Sequence, residues 1–194
     1  FTANPEDYTA RGKIITPLKD RIGAEIATHY PADVEAGMAI TAQEAWLERD
    51  GRIEIPAIVA EIIERVAFLA RADKRIDQRS GVSQRMPITV LETAVSSAER
   101  RAVVLGEDLV VPRLSDVYAA LPAITGKMEL EYEGELQGSD AVARDLIATA
   151  AKEIFDRVSD VELFDEAVEY FDRGGVLQIS DTAGTDASWQ AFSS

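Results

Sequence analysis

The chain of 194 residues contains no cysteine and a single histidine, His29. The absence of cysteine excludes disulfides, thiolate metal ligands and a thiol nucleophile. A lone histidine excludes a multi-histidine metal cluster and argues against a histidine-based catalytic triad. Active sites built on a cysteine or on several histidines are therefore excluded for this chain. We interpret His29 as structural.

Long apolar runs are also missing from the sequence. No stretch approaches the roughly 18 apolar residues that a membrane helix needs, and no charged segment followed by an apolar one opens the chain. We therefore expect a soluble, cytoplasmic protein without a membrane partner. Hydrophobic residues make up 46% of the chain, enough to build a buried core.

Positive charge is scarce. The formal net charge is −15, and residues 129–172 hold 14 Asp and Glu against 3 Lys and Arg. Broad neutralisation of phosphates needs clustered basic side chains, so we expect no nucleic-acid partner. For residues 129–172 we favour a solvated helical surface over an acidic docking surface.

Apolar spacing predicts a mainly α chain. The clearest helix covers 56–72, with Pro56 in its first turn. A second helix begins between Ser83 and Pro87 and continues to about Val104, where Gly106 stops it. The predicted apolar face of the first helix consists of Ile58, Val59, Ile62, Ile63, Val66, Leu69 and Ala70. The other predicted elements are a possible strand over 22–30, a helix over 32–47, a helix within 108–121 that opens near Pro112, helices over 139–158 and about 161–171, and a connector over 122–138.

The first candidate site residue is Asn4. It follows Phe1-Thr2-Ala3, which resembles the end of a buried strand and suggests that the chain is truncated upstream. Ligands bind at such strand ends in α/β folds, and an amide can contact a phosphate oxygen while orienting an attacking water. The competing interpretation is an ordinary Asn-Pro turn.

Two arginines are the other candidates. Arg21 ends a proline-started turn, where a guanidinium is suited to stabilising charge on a transferring phosphoryl group. The alternative is a surface pair with Asp20 or Glu25. Arg85 lies at a helix start, which itself attracts anions. A pair with Asp77 or Glu61 is the alternative for Arg85.

The order and spacing of these three sites resemble those of an AAA+ ATPase of the MoxR and magnesium-chelatase type. Phe1-Thr2-Ala3-Asn4-Pro5-Glu6 is similar to the end of the sensor 1 strand. Leu18-Lys19-Asp20-Arg21-Ile22-Gly23 resembles the arginine-finger segment, although Ile22 stands where the family has an aromatic residue. Ser83-Gln84-Arg85 resembles sensor 2. The resemblance covers roughly residues 1–121.

The resemblance implies the end of an α/β core over 1–50 and a helical lid over 51–121. Outside the resemblance, charge and helical spacing predict an acidic helical extension over 122–175, and the polar composition predicts a flexible tail over 176–194. It also implies a ring, commonly of six subunits, that uses ATP and Mg²⁺ to remodel a partner protein, in some relatives one with a von Willebrand A-type domain. Asn4 and Arg85 would act within their own subunit, and Arg21 on the nucleotide of the neighbouring subunit.

The phosphate-binding loop G-x-x-x-x-G-K-[ST] does not occur in the chain. We therefore expect ATP hydrolysis only in a longer parent protein and none in this chain alone, which should bind neither ATP nor magnesium well. The alternative is a helical protein-interaction module without nucleotide chemistry.

Overall fold

The computed structural model describes residues 20–24, 26–49, 51–158, 161–176 and 180–185. The contacts divide the chain into two compact units, one ending at Tyr30 and the other beginning at Pro31. Of the first unit, residues 20–24 and 26–30 are described. They form a turn at Asp20 and Arg21 and otherwise have no regular secondary structure, so the strand predicted over 22–30 is not found in them.

The second unit is mainly helical, as predicted. Helix α1, Val34–Glu44, begins at Asp33, whose carboxylate accepts a hydrogen bond from the Ala36 backbone N at 2.8 Å. This bond satisfies one of the amide groups left open at a helix start. Helix α2, Ala57–Ala72, follows directly after Pro56, whose fixed φ suits the entry to a helix and whose missing N–H is not needed there.

Helix α3, Arg85–Leu105, is the longest in the described residues. It ends at Gly106, which adopts the left-handed conformation with φ +70°. The Gly106 N–H donates back to the carbonyl of Val103 at 3.3 Å. Glycine has no Cβ to oppose this conformation, so the predicted helix stop is confirmed together with its physical cause.

The helix predicted within 108–121, opening near Pro112, is found from Leu114, and an unpredicted strand precedes it. Leu109–Val110 forms strand β2, which pairs in parallel with strand β1, Arg52–Ile53. Two short helices follow, α4 at Leu114–Ala119 and α5 at Leu121–Thr125. Pro122 lies in the first turn of α5, where proline is tolerated, so it begins a helix where we predicted a connector.

Three further helices lie within residues 129–172, the acidic part of the sequence. Helix α6, Tyr132–Gln137, lies within the predicted connector, α7 spans Ser139–Val158 and α8 spans Val161–Asp172. The bounds of α7 match the prediction. None of the helices in the described ranges combines the length and apolarity needed to cross a bilayer.

The core of the second unit lies around α2, which packs against both α3 and α7. Ile62, Ile63, Leu91 and Val95 are all buried, as the apolar spacing predicts, whereas Ile58 at the start of α2 is 46% exposed. Ion pairs bridge α2 and α7 at the edge of this core. The residues on α2 are Glu61 and Arg65, which contact Arg157 and Glu153 on α7.

Candidate functional site at the start of helix α3

The first residue of α3 is Arg85, and its side chain is exposed. No described residue forms an ion pair with its guanidinium. The predicted alternative partners are engaged elsewhere, because Glu61 pairs with Arg65 and Arg157, and Asp77 lies next to Arg79. The partial positive charge of a helix start adds to that of the arginine. The start of α3 is thus an electropositive end that is open to an anion.

The residue before Arg85 is anchored to two other helices. The Gln84 side-chain amide donates to both carboxylate oxygens of Glu64 on α2, at 2.9 and 3.0 Å. Its nitrogen also lies 3.1 Å from the Thr41 hydroxyl and 3.3 Å from the Gly37 carbonyl, both on α1. On the other side, Gln84 Oε1 accepts a hydrogen bond from Arg71 Nη2 at 3.0 Å.

Glu64 is fully buried, with 0% of its surface exposed. Its carboxylate accepts from the Thr41 hydroxyl at 2.9 Å in addition to Gln84. A buried charge is costly unless it is well hydrogen-bonded, so these contacts are what make its position tolerable. We define Glu64, Gln84 and Thr41 as the Gln84 cluster.

This cluster was not predicted from the sequence. The available signal was an acidic residue inside an apolar helical face, since Glu64 lies on α2 between the buried pairs Ile62–Ile63 and Val66–Ala67. Such a residue requires a polar partner. Which residues serve as partners cannot be read from helical periodicity, because Gln84 is 20 residues and Thr41 is 23 residues away from Glu64 in the sequence.

The other predicted site residues lie in the first unit. Asn4 falls outside the described residues. Arg21 is exposed, and no described residue pairs with it, including Asp20. Its other suggested partner, Glu25, is also outside the described residues. His29 is exposed, and its Nδ1 lies 2.7 Å from the Tyr30 carbonyl oxygen.

A second polar cluster lies near the other end of α3. Arg101 donates to both oxygens of Asp116, at 2.7 and 2.8 Å, and to the Val111 carbonyl at 2.7 Å. The backbone N of Arg113 donates to the same carboxylate at 2.8 Å. Burial, together with the nearby Arg101 charge, lowers the pKa of the Arg113 guanidinium. Because Asp116 is only 2% exposed and its oxygens are occupied, this arrangement is suited to joining α3 and α4.

Two other features of the described residues bear on the site, namely potential metal ligands and a surface depression. No group of three or more His, Asp or Glu side chains comes together there in a way that would hold a metal ion. A shallow depression is lined by Glu169, Tyr170, Arg173 and the Gly174–Gly175 pair, and it includes neither Arg21 nor Arg85.

Comparisons with known proteins found no matching family model, no matching curated protein and no matching solved structure.

Proposed function

We propose that this chain is the C-terminal part of an AAA+ ATPase of the MoxR and magnesium-chelatase type, in which α2 and α3 belong to the helical lid. In this proposal Arg85 contacts the phosphates of bound ATP from the lid of its own subunit. Arg21 acts as the arginine finger for the neighbouring subunit of a ring, and Asn4 orients the attacking water. ATP and Mg²⁺ are held by the longer parent protein, and the ring remodels a partner protein.

The observation that carries the proposal is the exposed, unpaired guanidinium of Arg85 at the first residue of a long helix. A cation at a helix start is electrostatically unfavourable, so the position calls for an anionic ligand. Arginine forms paired hydrogen bonds with phosphate oxygens, and the helix start adds backbone donors. The mainly helical bundle around α3 agrees with the architecture of a lid.

Alanine substitutions in the parent ATPase test the two arginines. We expect Arg21→Ala to leave nucleotide binding nearly intact and to reduce turnover by on the order of 10³-fold, as for other arginine fingers. Arg85→Ala should weaken ATP binding as well as turnover. Arg100 is the matched control, because it is an exposed arginine on the same helix without an ion pair to any described residue. Arg100→Ala should retain wild-type activity.

Subunit mixing separates action in cis from action in trans. Arg21→Ala subunits mixed with subunits carrying an inactive phosphate loop should recover part of the activity, because a head-to-tail interface can pair an intact finger with an intact loop. Arg85→Ala subunits should show no such recovery. Wild-type turnover of both single variants would contradict the proposal and would favour the alternative, a helical interaction module without nucleotide chemistry.

A further inference from the structure

The Gln84 side chain has a single orientation that satisfies its neighbours. Arg71 can only donate, so the atom facing it must be the amide oxygen, and the Glu64 carboxylate requires the amide nitrogen on the opposite side. The side chain is therefore fixed at both ends. Gln84 is the residue immediately before α3, so this fixation lies next to the first turn of the helix.

Helix α1 completes the cluster from the other side. Gly37 of α1 lies so close to α2 that an added Cβ would be 2.3 Å from Glu64 Oε1. This close approach is what brings the Thr41 hydroxyl to Glu64 and the Gly37 carbonyl to Gln84. If α1 moved away, Gln84 would lose two of its neighbours, and water would reach the Glu64 carboxylate.

We propose that Gln84 and Glu64 are positioning residues for Arg85, and that docking of α1 on α2 sets the position of the Arg85 backbone and so the reach of its guanidinium. This inference rests on the proposed function, in which Arg85 contacts phosphate. Helix α1 begins four residues after Tyr30, the last residue of the unit that carries Arg21. A displacement of α1 would thus be transmitted to Arg85 through three side chains.

Swapping the Gln84 and Glu64 side chains within the 194-residue chain, in two steps, tests the positioning role by amide hydrogen exchange. Gln84→Glu places a second carboxylate beside Glu64. We expect the Met86 amide, which donates to the Ser83 carbonyl at 3.0 Å, to exchange its hydrogen on the order of tenfold faster, within the usual range of coupling between two sites. Adding Glu64→Gln to this variant restores a donor facing an acceptor, and Arg71 then faces a carboxylate. The double variant should return exchange to within about twofold of wild type.

A second variant disturbs the cluster from α1. Gly37→Ala forces the Glu64 carboxylate out of its hydrogen bonds, so it should accelerate exchange at the Met86 amide. Thr41→Val removes only one hydroxyl at similar volume and should give a milder form of the same effect. It serves as the test if the other variants do not fold. Gly23→Ala is the matched control, since an added Cβ there meets no atom within 4 Å. In every variant the Arg100 amide serves as the internal reference.

The outcomes separate this inference from the proposed function. Unchanged exchange at the Met86 amide in these variants, or failure of the double variant to recover, would overturn the positioning role. ATP binding by the Arg85→Ala variant of the parent ATPase tests the phosphate contact independently. Wild-type ATP affinity of that variant would count against the proposed function, while the exchange results would still decide whether the cluster positions Arg85.

Discussion

Substitution of Asp116 by alanine should be among the most destabilising single changes in this chain. The carboxylate is almost fully buried and accepts two hydrogen bonds from Arg101 and one from the backbone N of Arg113. Asp116→Ala leaves the Arg101 charge buried without its partner, which typically costs about 3–5 kcal/mol. The lost bond to the start of α4, ordinarily worth about 1 kcal/mol, is part of that total.

Urea denaturation followed by circular dichroism at neutral pH measures this loss as a change in the free energy of unfolding. Asp156→Ala is the control, because Asp156 is exposed on α7 and forms no ion pair with a described residue; it should change stability by at most about 0.5 kcal/mol. Replacing both partners, as in Arg101→Met with Asp116→Leu, should cost less than Asp116→Ala alone, since no buried charge remains. A loss below about 1 kcal/mol for Asp116→Ala would refute the reasoning.

Two further predictions concern a glycine and the acid limb of the stability curve. Gly106→Ala should lower the free energy of unfolding by roughly 1–2 kcal/mol through the left-handed conformation alone, since an added Cβ meets no atom within 4 Å; a thermal midpoint equal to wild type would contradict this. Hydrogen bonds from Arg157 and Arg75 hold the pKa values of Glu61 and Asp73 below their ordinary values of 4.5 and 3.8, so the stability they contribute is present above those values and is lost as pH falls below them. Glu61→Gln combined with Asp73→Asn should therefore flatten the decline in stability between about pH 5 and pH 2, as measured by urea denaturation at each pH, and an unchanged decline would show that other carboxylates control it.

The local helix signals were sufficient to predict α2, α3 and α7. Pro56 and Gly106 impose backbone conformations that hold wherever they occur, and the apolar faces of these helices had to be covered by something. Strand β2, which precedes α4, was not predicted from the sequence. Leu109 and Val110 are extended because they pair with Arg52 and Ile53. Each strand is only two residues long, and the two strands are far apart in the sequence, so no periodic pattern predicts the pairing.

The candidate site was predictable only in part. The position of Arg85 at a helix start follows from Pro87 and the surrounding apolar spacing, which local sequence contains. The anchoring of Gln84 does not, because its partners Glu64 and Thr41 come from two other helices and meet it only when those helices pack. Tertiary packing determines which side chains form hydrogen bonds over long sequence separations. The preferences of single residues carry little information about such bonds.

The pairing of α2 with α7 has a consequence for how the protein is made. Arg65 and Glu153 are 88 residues apart, so a ribosome adding about 5–20 residues per second completes α2 roughly 4–18 s before its partner helix exists. During that interval the apolar side of α2 has no α7 to cover it. A growing chain with such a surface is a substrate for chaperones that bind exposed apolar helices, and slowing translation over residues 72–139 should lengthen that exposure and increase aggregation of the nascent protein.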